Sequence, residues 1–154
     1  MKKFLLSVLA IIGGGFILMM LLGDLGFYKS NADTNNSDSV GNLGDYDVDL
    51  VSAVISDEYD VPFLLVTIKF TNYSSSPISF EDIIGTNAYQ NNVGLVGYHK
   101  SNDDYKTNVR EGASVELVLG FELRDTTTPV DIDFFIIGGD KKASFVINID
   151  KQED

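Results

Sequence analysis

The stretch SVELVLGFELR, residues 114–124, decides the fold. Val115, Leu117, Leu119, Phe121 and Leu123 alternate with Ser114, Glu116, Val118, Gly120, Glu122 and Arg124. Successive side chains of an extended chain point to opposite faces, so a period of two sends one row into a core and the other mostly toward solvent. Outward from it the pattern recurs. Leu64, Val66, Ile68 and Phe70 oppose Thr67, Lys69 and Thr71; Val130, Ile132, Phe134 and Ile136 oppose Asp131 and Asp133; Phe145, Ile147 and Ile149 oppose Ser144, Asn148 and Asp150. Shorter apolar pieces lie at 46–55, 78–84 and 88–98. In the first of these the inward phase switches from Tyr46, Val48 and Leu50 to Val51, Ala53 and Ile55, as a β-bulge requires. Turn residues separate the runs at Asn91-Asn92, Glu111-Gly112, Thr128-Pro129 and Gly138-Gly139-Asp140. Seven to eight short strands with turn signals at roughly 8–12 residue spacing predict an all-β antiparallel sandwich over 45–150.

A different segment precedes it. After MKK, residues 4–22 are nineteen residues without a charge, with Ser7 the one polar side chain. About 20 residues of helix span a bilayer core of roughly 30 Å. Gly13, Gly14 and Gly15 weaken a helix in water but are tolerated in lipid. Lys2 and Lys3 before the run and Asp24 after it predict a cytoplasmic N-terminus and an extracellular remainder. Length favours a retained signal anchor over residues 1–23, since the apolar region of a signal peptide is typically about 7–15 residues. The competing reading is a cleaved signal peptide, with a cleavage candidate at Ser30-Asn31-Ala32, and the domain then secreted. Residues 24–44 are expected as a flexible polar linker, whose polar stretch 29–44, KSNADTNNSDSVGNLG, is interrupted by Ala32, Val40 and Leu43, and 151–154 as an acidic tail. Sixteen such residues reach roughly 20–25 Å, enough to hold the domain clear of the bilayer.

Composition closes several routes to chemistry. The 154 residues hold 23 Asp and Glu against 11 Lys and Arg, no Cys, no Trp and one His. Disulfides, thiolate metal sites, Cys nucleophiles and multi-histidine sites are excluded, and a lipid-modified cysteine with them. Charge follows the segment boundary: 1–32 carry three Lys and one Asp, whereas 33–154 carry eight basic and 22 acidic residues, 8 − 22 = −14. Such a surface is expected to ignore nucleic acid, whose binding rests on clustered Lys and Arg.

Four stretches carry a family resemblance: IKFTNYSSSPISF (68–80), AYQNNV (88–93), VREGASVEL (109–117) and FELRDTTTPVDI (121–132). Together they resemble immunoglobulin-like domains of unknown function on exported and lipoprotein-type proteins of Gram-positive bacteria. These are similar in fold to an immunoprotective extracellular protein family of mycobacteria. The shared features are structural: an Asn ending one strand, a Gly turn opening the next and a Thr-Pro kink before another. The resemblance covers about 45–135 and implies an immunoglobulin-like sandwich at a cell surface, without catalytic residues. Glu111 stands where Pro is frequent and Asn92 where Gly is frequent, and the lipid-attachment Cys is missing. Fold analogy of this kind does not supply a function.

Among chemistry-bearing residues, Asp45, Asp47 and Asp49 alternate so as to project three carboxylates from one face about 7 Å apart, the candidate for a weak calcium site. The alternative is a solvated, aggregation-resistant strand. Further acidic groups are Asp57, Glu58 and Asp60, and Asp103 with Asp104. His99 has no triad or zinc partners at recognisable spacing, and Ser74 to Ser76 suit a turn better than a nucleophile. Asn72-Tyr73-Ser74 has the form of a glycosylation sequon. Tyr73, Tyr89, Tyr98 and Tyr105 are candidates for a sugar- or peptide-binding face, with half-buried packing as the alternative. The expected protein is a non-enzymatic, cofactor-free, membrane-tethered extracellular module with a monomeric ectodomain and a protein or cell-surface ligand. The alternative is a secreted domain, released by signal cleavage, with the weak calcium site.

Overall fold

Where Leu64, Val66, Ile68 and Phe70 lie beside Phe121, Leu119, Leu117 and Val115, two alternating strands align their apolar rows, and the first sheet grows around this ladder. The structure, a computed structural model, describes residues 40–56, 61–99 and 103–149. In chain order the elements are β1 (Val40–Asn42), β2 (Tyr46–Ser56), β3 (Phe63–Asn72), a single helical turn α1 (Phe80–Ile83), β4 (Ile84–Gln90), β5 (Val93–Gly94), β6 (Gly97–His99), a 3-10 turn (Asp103–Lys106), β7 (Ser114–Glu122), β8 (Val130–Ile136) and β9 (Lys142–Ile147). One sheet has the order β1–β2–β3–β7–β6 and the other β5–β4–β8–β9, all neighbours antiparallel. The fold is all-β, with sheets of five and four strands in an arrangement consistent with a β-sandwich.

The expected inward rows are the core. Leu64, Val66, Ile68, Phe70, Leu117, Leu119 and Phe121 from the first sheet are at most 4% exposed, as are Val130, Ile132, Phe134 and Ile147 from the second. Rings join the two layers through Phe80: Phe70 meets Phe80 edge-on at 5.6 Å and Phe80 meets Phe134 at 6.4 Å, while Phe134 meets Phe145 at 5.7 Å within the second sheet. Such offset and edge-on pairs contribute about 0.5–1.5 kcal/mol each beyond burial. Phe80 is the wedge between the layers, and α1 is what presents it. Ser79 caps that turn, its hydroxyl accepting from the Asp82 amide and donating to the Asp82 carboxylate at 2.6 Å. The expectation of an extended piece at 78–84 is thereby corrected: local capping by Ser79 outweighs the apolar run.

Three other expectations change. Residues 40–44, assigned to the linker, belong to the domain: Val40–Asn42 pair with Asp49, Val48 and Asp47, and Leu43 is 2% exposed. Val40 and Leu43, the apolar interruptions in that polar run, are what dock it. The bulge is present where expected, the register slipping between Leu50 and Ser52, but Val51 is the extra residue and is half exposed rather than inward. Leu50, Ala53 and Ile55 keep the inner face opposite Ile68, Val66 and Leu64. The piece at 88–98 breaks at the expected Asn91-Asn92 turn and a second time before Gly97, so that it holds the end of β4, β5 and most of β6. Asn91 (φ 50°) and Asn92 (φ 60°) form the two-residue hairpin that joins β4 to β5. The chain then leaves the second sheet, with Leu95 donating to Ala88 and Val96 accepting from Glu122, and joins the first as β6. That crossing closes one side of the sandwich. On the other side β1 approaches β9 so closely that a Cβ on Gly41 would lie 2.7 Å from that of Ala143. The apolar run 4–22, the linker up to residue 39 and the tail 151–154 lie outside the described residues, among which no helix is long and apolar enough to cross a membrane.

Candidate functional site

Strand pleating does put Asp47 and Asp49 on the outer face of β2, whereas Asp45 precedes the strand as an exposed turn residue. Each strand carboxylate answers a neighbour on its own rung. Asn42 donates to Asp47 at 2.9 Å, and the rung continues through Thr71 and Ser114, whose hydroxyls are 2.9 Å apart. Asp49 faces Lys69 at 3.8 Å, with Glu116 beyond it. This is a polar ladder on a half-solvated sheet, where opposite charges on adjacent strands contribute a few tenths of a kcal/mol, about 0.2–1. Among the described residues no group of three or more His, Asp or Glu side chains is placed to hold a metal ion; Asp47 and Asp49 share a face, and Asp45 stands in the bend before it. Pleating spaces them along the face, and the cross-strand donors draw them apart. Asp49 Oδ1 and Thr86 Oγ1 are buried without a hydrogen-bond partner, but they lie on different sheets.

The tyrosines do not share a face either. Tyr98, on β6, meets Phe63 edge-on at 5.3 Å over Gly120 and places its hydroxyl 3.4 Å from Glu122. Tyr89 is on the outer face of the other sheet, opposite Asp131. Tyr105 packs against Phe80 at 5.4 Å; burial, then the Glu81 carboxylate, pushes its phenol above the usual range. Tyr73 is half exposed at the end of β3. His99 lies on β6 opposite Leu119. The group Asp57, Glu58 and Asp60 falls outside the described residues, and Asp104 is exposed in the 3-10 turn.

What the pattern of the chain did not reveal is a pair of buried amides that organise both ends of the sandwich. Asn72 ends β3 with no exposure; its Nδ2 donates to Ser76 and Val109 carbonyls at 2.9 and 2.8 Å, and its Oδ1 accepts from the Ser74 amide at 2.8 Å. The Ser74 hydroxyl lies 2.7 Å from the same oxygen. A nitrogen so engaged in the interior is no glycosylation acceptor, which corrects the sequon reading. Gln90 does the equivalent at the end of β4. Buried at 1%, it donates to Asp125 and Thr128 carbonyls at 3.1 and 2.9 Å and accepts from the Arg124 amide at 2.8 Å. Both are the last residues of their strands, where the backbone ladder stops and a side-chain amide can continue it. That position was the one available signal.

The loop Gln90 holds contains the most perturbed carboxyl. Asp125 accepts from the Thr127 and Thr128 amides at 2.8 and 2.7 Å, and from the Thr128 hydroxyl at 2.8 Å. Those donors, the two backbone amides first, hold its pKa at about 2. Depressed carboxyls also occur in active sites, but here every donor is local and within three residues. Asp125 closes the turn that ends in Thr128-Pro129 and aims the chain into β8.

Comparison with known proteins adds the family and no activity. A search of curated proteins returns no match. The family model described as "Domain of unknown function (DUF5067)" matches residues 28–135, from just after the apolar run to the end of β8, leaving β9 and its buried Phe145 and Ile147 beyond the match. That span is more than half of the chain, which therefore belongs to the DUF5067 family.

Proposed function

We propose that this protein is a membrane-tethered extracellular binding module without catalytic activity, its sandwich of immunoglobulin-like kind and its ligand a protein or other cell-surface component. The observation that carries this reading is the division of the chain: an uncharged run of membrane length at 4–22, behind two lysines, ahead of a strand-dominated domain. The family match starting at 28, after the run, supports the same division. Within the domain, the side chains best placed to do chemistry are engaged in architecture. Asn72, Gln90 and Asp125 tie loops, and Asp47, Asp49 and Asp133 complete cross-strand pairs, Asp133 with Lys142 at 2.8 Å. Sheets of five and four strands with a crossing segment support the likeness to immunoglobulin-like domains of exported proteins.

Protease added to intact cells tests the reading. Loss of the domain, with a fragment of a few kilodaltons left in the membrane, is the expected result. Protection of the whole chain would reverse the orientation, and a domain already free in the medium would favour signal cleavage and secretion.

A further inference from the structure

The edges of the two sheets are protected unequally. β5, β6 and β1 are two or three residues long, too short to template another strand. β9 begins with Lys142 and lies against β1. β2, like β4 and β7, is only partly covered by its short edge neighbour, and its open stretch is the longest and most apolar: the strand runs for eleven residues, and β1 pairs only with Asp47, Val48 and Asp49. From Leu50 to Ile55 it has, among the described residues, a strand neighbour on one side only, β3. That stretch, LVSAVI, contains no charge and no proline, the two usual guards of an edge. The bulge at Val51 is its one defence, and beyond it residues 52–55 return to regular register with 64–67.

The side chains around this edge are apolar. On the outer face Val54 lies beside Leu65, and the row continues through Gly120 to Tyr98, 48% exposed. Inward, Ala53 and the half-buried Ile55 border the core. A strand laid against 52–55 would satisfy the open backbone groups and place alternate side chains beside Val54 and Ile55, the geometry of strand addition. We propose that this edge of β2 is a docking site for an extended segment of a partner protein, apolar at its centre and carrying Lys or Arg at its ends. This rests on the reading of the domain as an extracellular binding module.

Charge selects the occupant. Asp47 and Asp49 stand at one end of the open stretch, and residues 33–154 hold 22 acidic against eight basic groups. A basic segment is drawn in by that field and a second copy is repelled. The chain's own residues 33–39, DTNNSDS, contain no apolar side chain to extend the Val54 row.

The full chain in detergent micelles, probed with a synthetic peptide whose Val-Thr-Val-Thr-Val centre is flanked by two lysines at each end, tests the site by hydrogen exchange. The amides among 51–55 that point away from β3 should exchange fast alone and at least tenfold slower with saturating peptide. Replacing the flanking lysines by glutamates, or introducing Val54→Lys with an unchanged circular dichroism spectrum, should weaken binding at least tenfold, whereas Val146→Lys on β9 should not. No protection, or protection elsewhere, overturns the proposal. So does slow exchange of those outward-pointing amides without peptide, which would mean the chain covers its own edge, or protection that appears with dimer mass as protein concentration rises. Protease on intact cells separates the two levels: an accessible domain with an unprotected edge removes only the docking site, while a shielded domain removes the extracellular reading and the site with it.

Discussion

Asn72 and Asp125 show two ways in which one side chain controls a loop, and they answer to different perturbations. Asn72 is interior, so its truncation strands the Val109 carbonyl away from water and frees the Ser76 carbonyl and the Ser74 amide at the part-buried rim. Each such loss costs about 1–3 kcal/mol, part of it recovered where the loop relaxes toward solvent. Asn72→Ala is therefore expected to lower stability by about 2–4 kcal/mol, a large share of a typical total of roughly 5–15, read from the urea midpoint. Asp125 instead acts through ionisation. Its folded pKa, about 2, lies below the ordinary 3.8, so the stabilisation it contributes is fully present above pH 3.8 and is lost as pH falls through 2. An amide at this position cannot titrate. The melting-temperature gap between the natural protein and Asp125→Asn should be constant near neutrality and shrink from about pH 4 toward pH 2. A gap that persisted unchanged at pH 2 would mean the carboxylate's charge is not what closes the turn.

At the scale of elements, the strand faces provide the sharpest contrast. Leu119 is 2% exposed on the inner face of β7 and Glu116 is exposed on the outer, so three positions separate opposite outcomes. Leu119→Asp should unfold the domain, because it places an unpaired charge between the sheets at a cost of several kcal/mol, whereas Glu116→Ala should shift stability by no more than about 0.5 kcal/mol. Thermal melts of both variants decide it. These faces were legible in the chain because a half-buried strand writes its burial as alternation, and Leu64 to Phe70, Leu117 to Leu123 and Val130 to Phe134 keep that period without interruption. Turns at Asn91-Asn92, Gly112 and Gly138 were equally legible, since each has positive φ that Asn and Gly adopt at low cost. Where period two failed as a guide, a short-range hydrogen bond or a long-range contact had taken over. Ser79 turned 78–84 into a capped helical turn, and Gly41 let β1 close on Ala143 and Phe145. The three-way bonding of Asn72 and Gln90 joins residues more than thirty apart, which no local pattern encodes. The partners of the acidic row were hidden for the same reason: alternation put Asp47 and Asp49 on one face, but Asn42 and Lys69, which pair with them, lie on different strands.

For the whole molecule, charge and hydropathy are divided between segments rather than mixed. The first 32 residues hold the uncharged run and three lysines against one aspartate; the remainder holds eight basic and 22 acidic residues, and its longest basic run is Lys141-Lys142. One of those two lysines is already committed, Lys142 to Asp133 at 2.8 Å. An acidic domain tethered over an anionic surface is pushed outward by like charge within about one Debye length, roughly 8 Å at physiological salt. In the proposed reading, the apolar run is the membrane attachment and the field of the acidic domain favours cationic partners over anionic head groups. The isolated domain, residues 40–149, should accordingly fail to sediment with phosphatidylglycerol vesicles and fail to shift DNA in a gel at physiological ionic strength. Sedimentation without divalent cation would break the electrostatic argument, because the domain's sequence has no run of basic residues longer than Lys141-Lys142 to cause it. Sedimentation that requires calcium would point to carboxylates bridged between protein and lipid phosphate, with Asp45→Asn, Asp47→Asn and Asp49→Asn the substitutions to abolish it. Indifference to vesicles with and without calcium would leave the N-terminal segment as the sole membrane contact, consistent with a domain whose acidic face is free for a protein ligand.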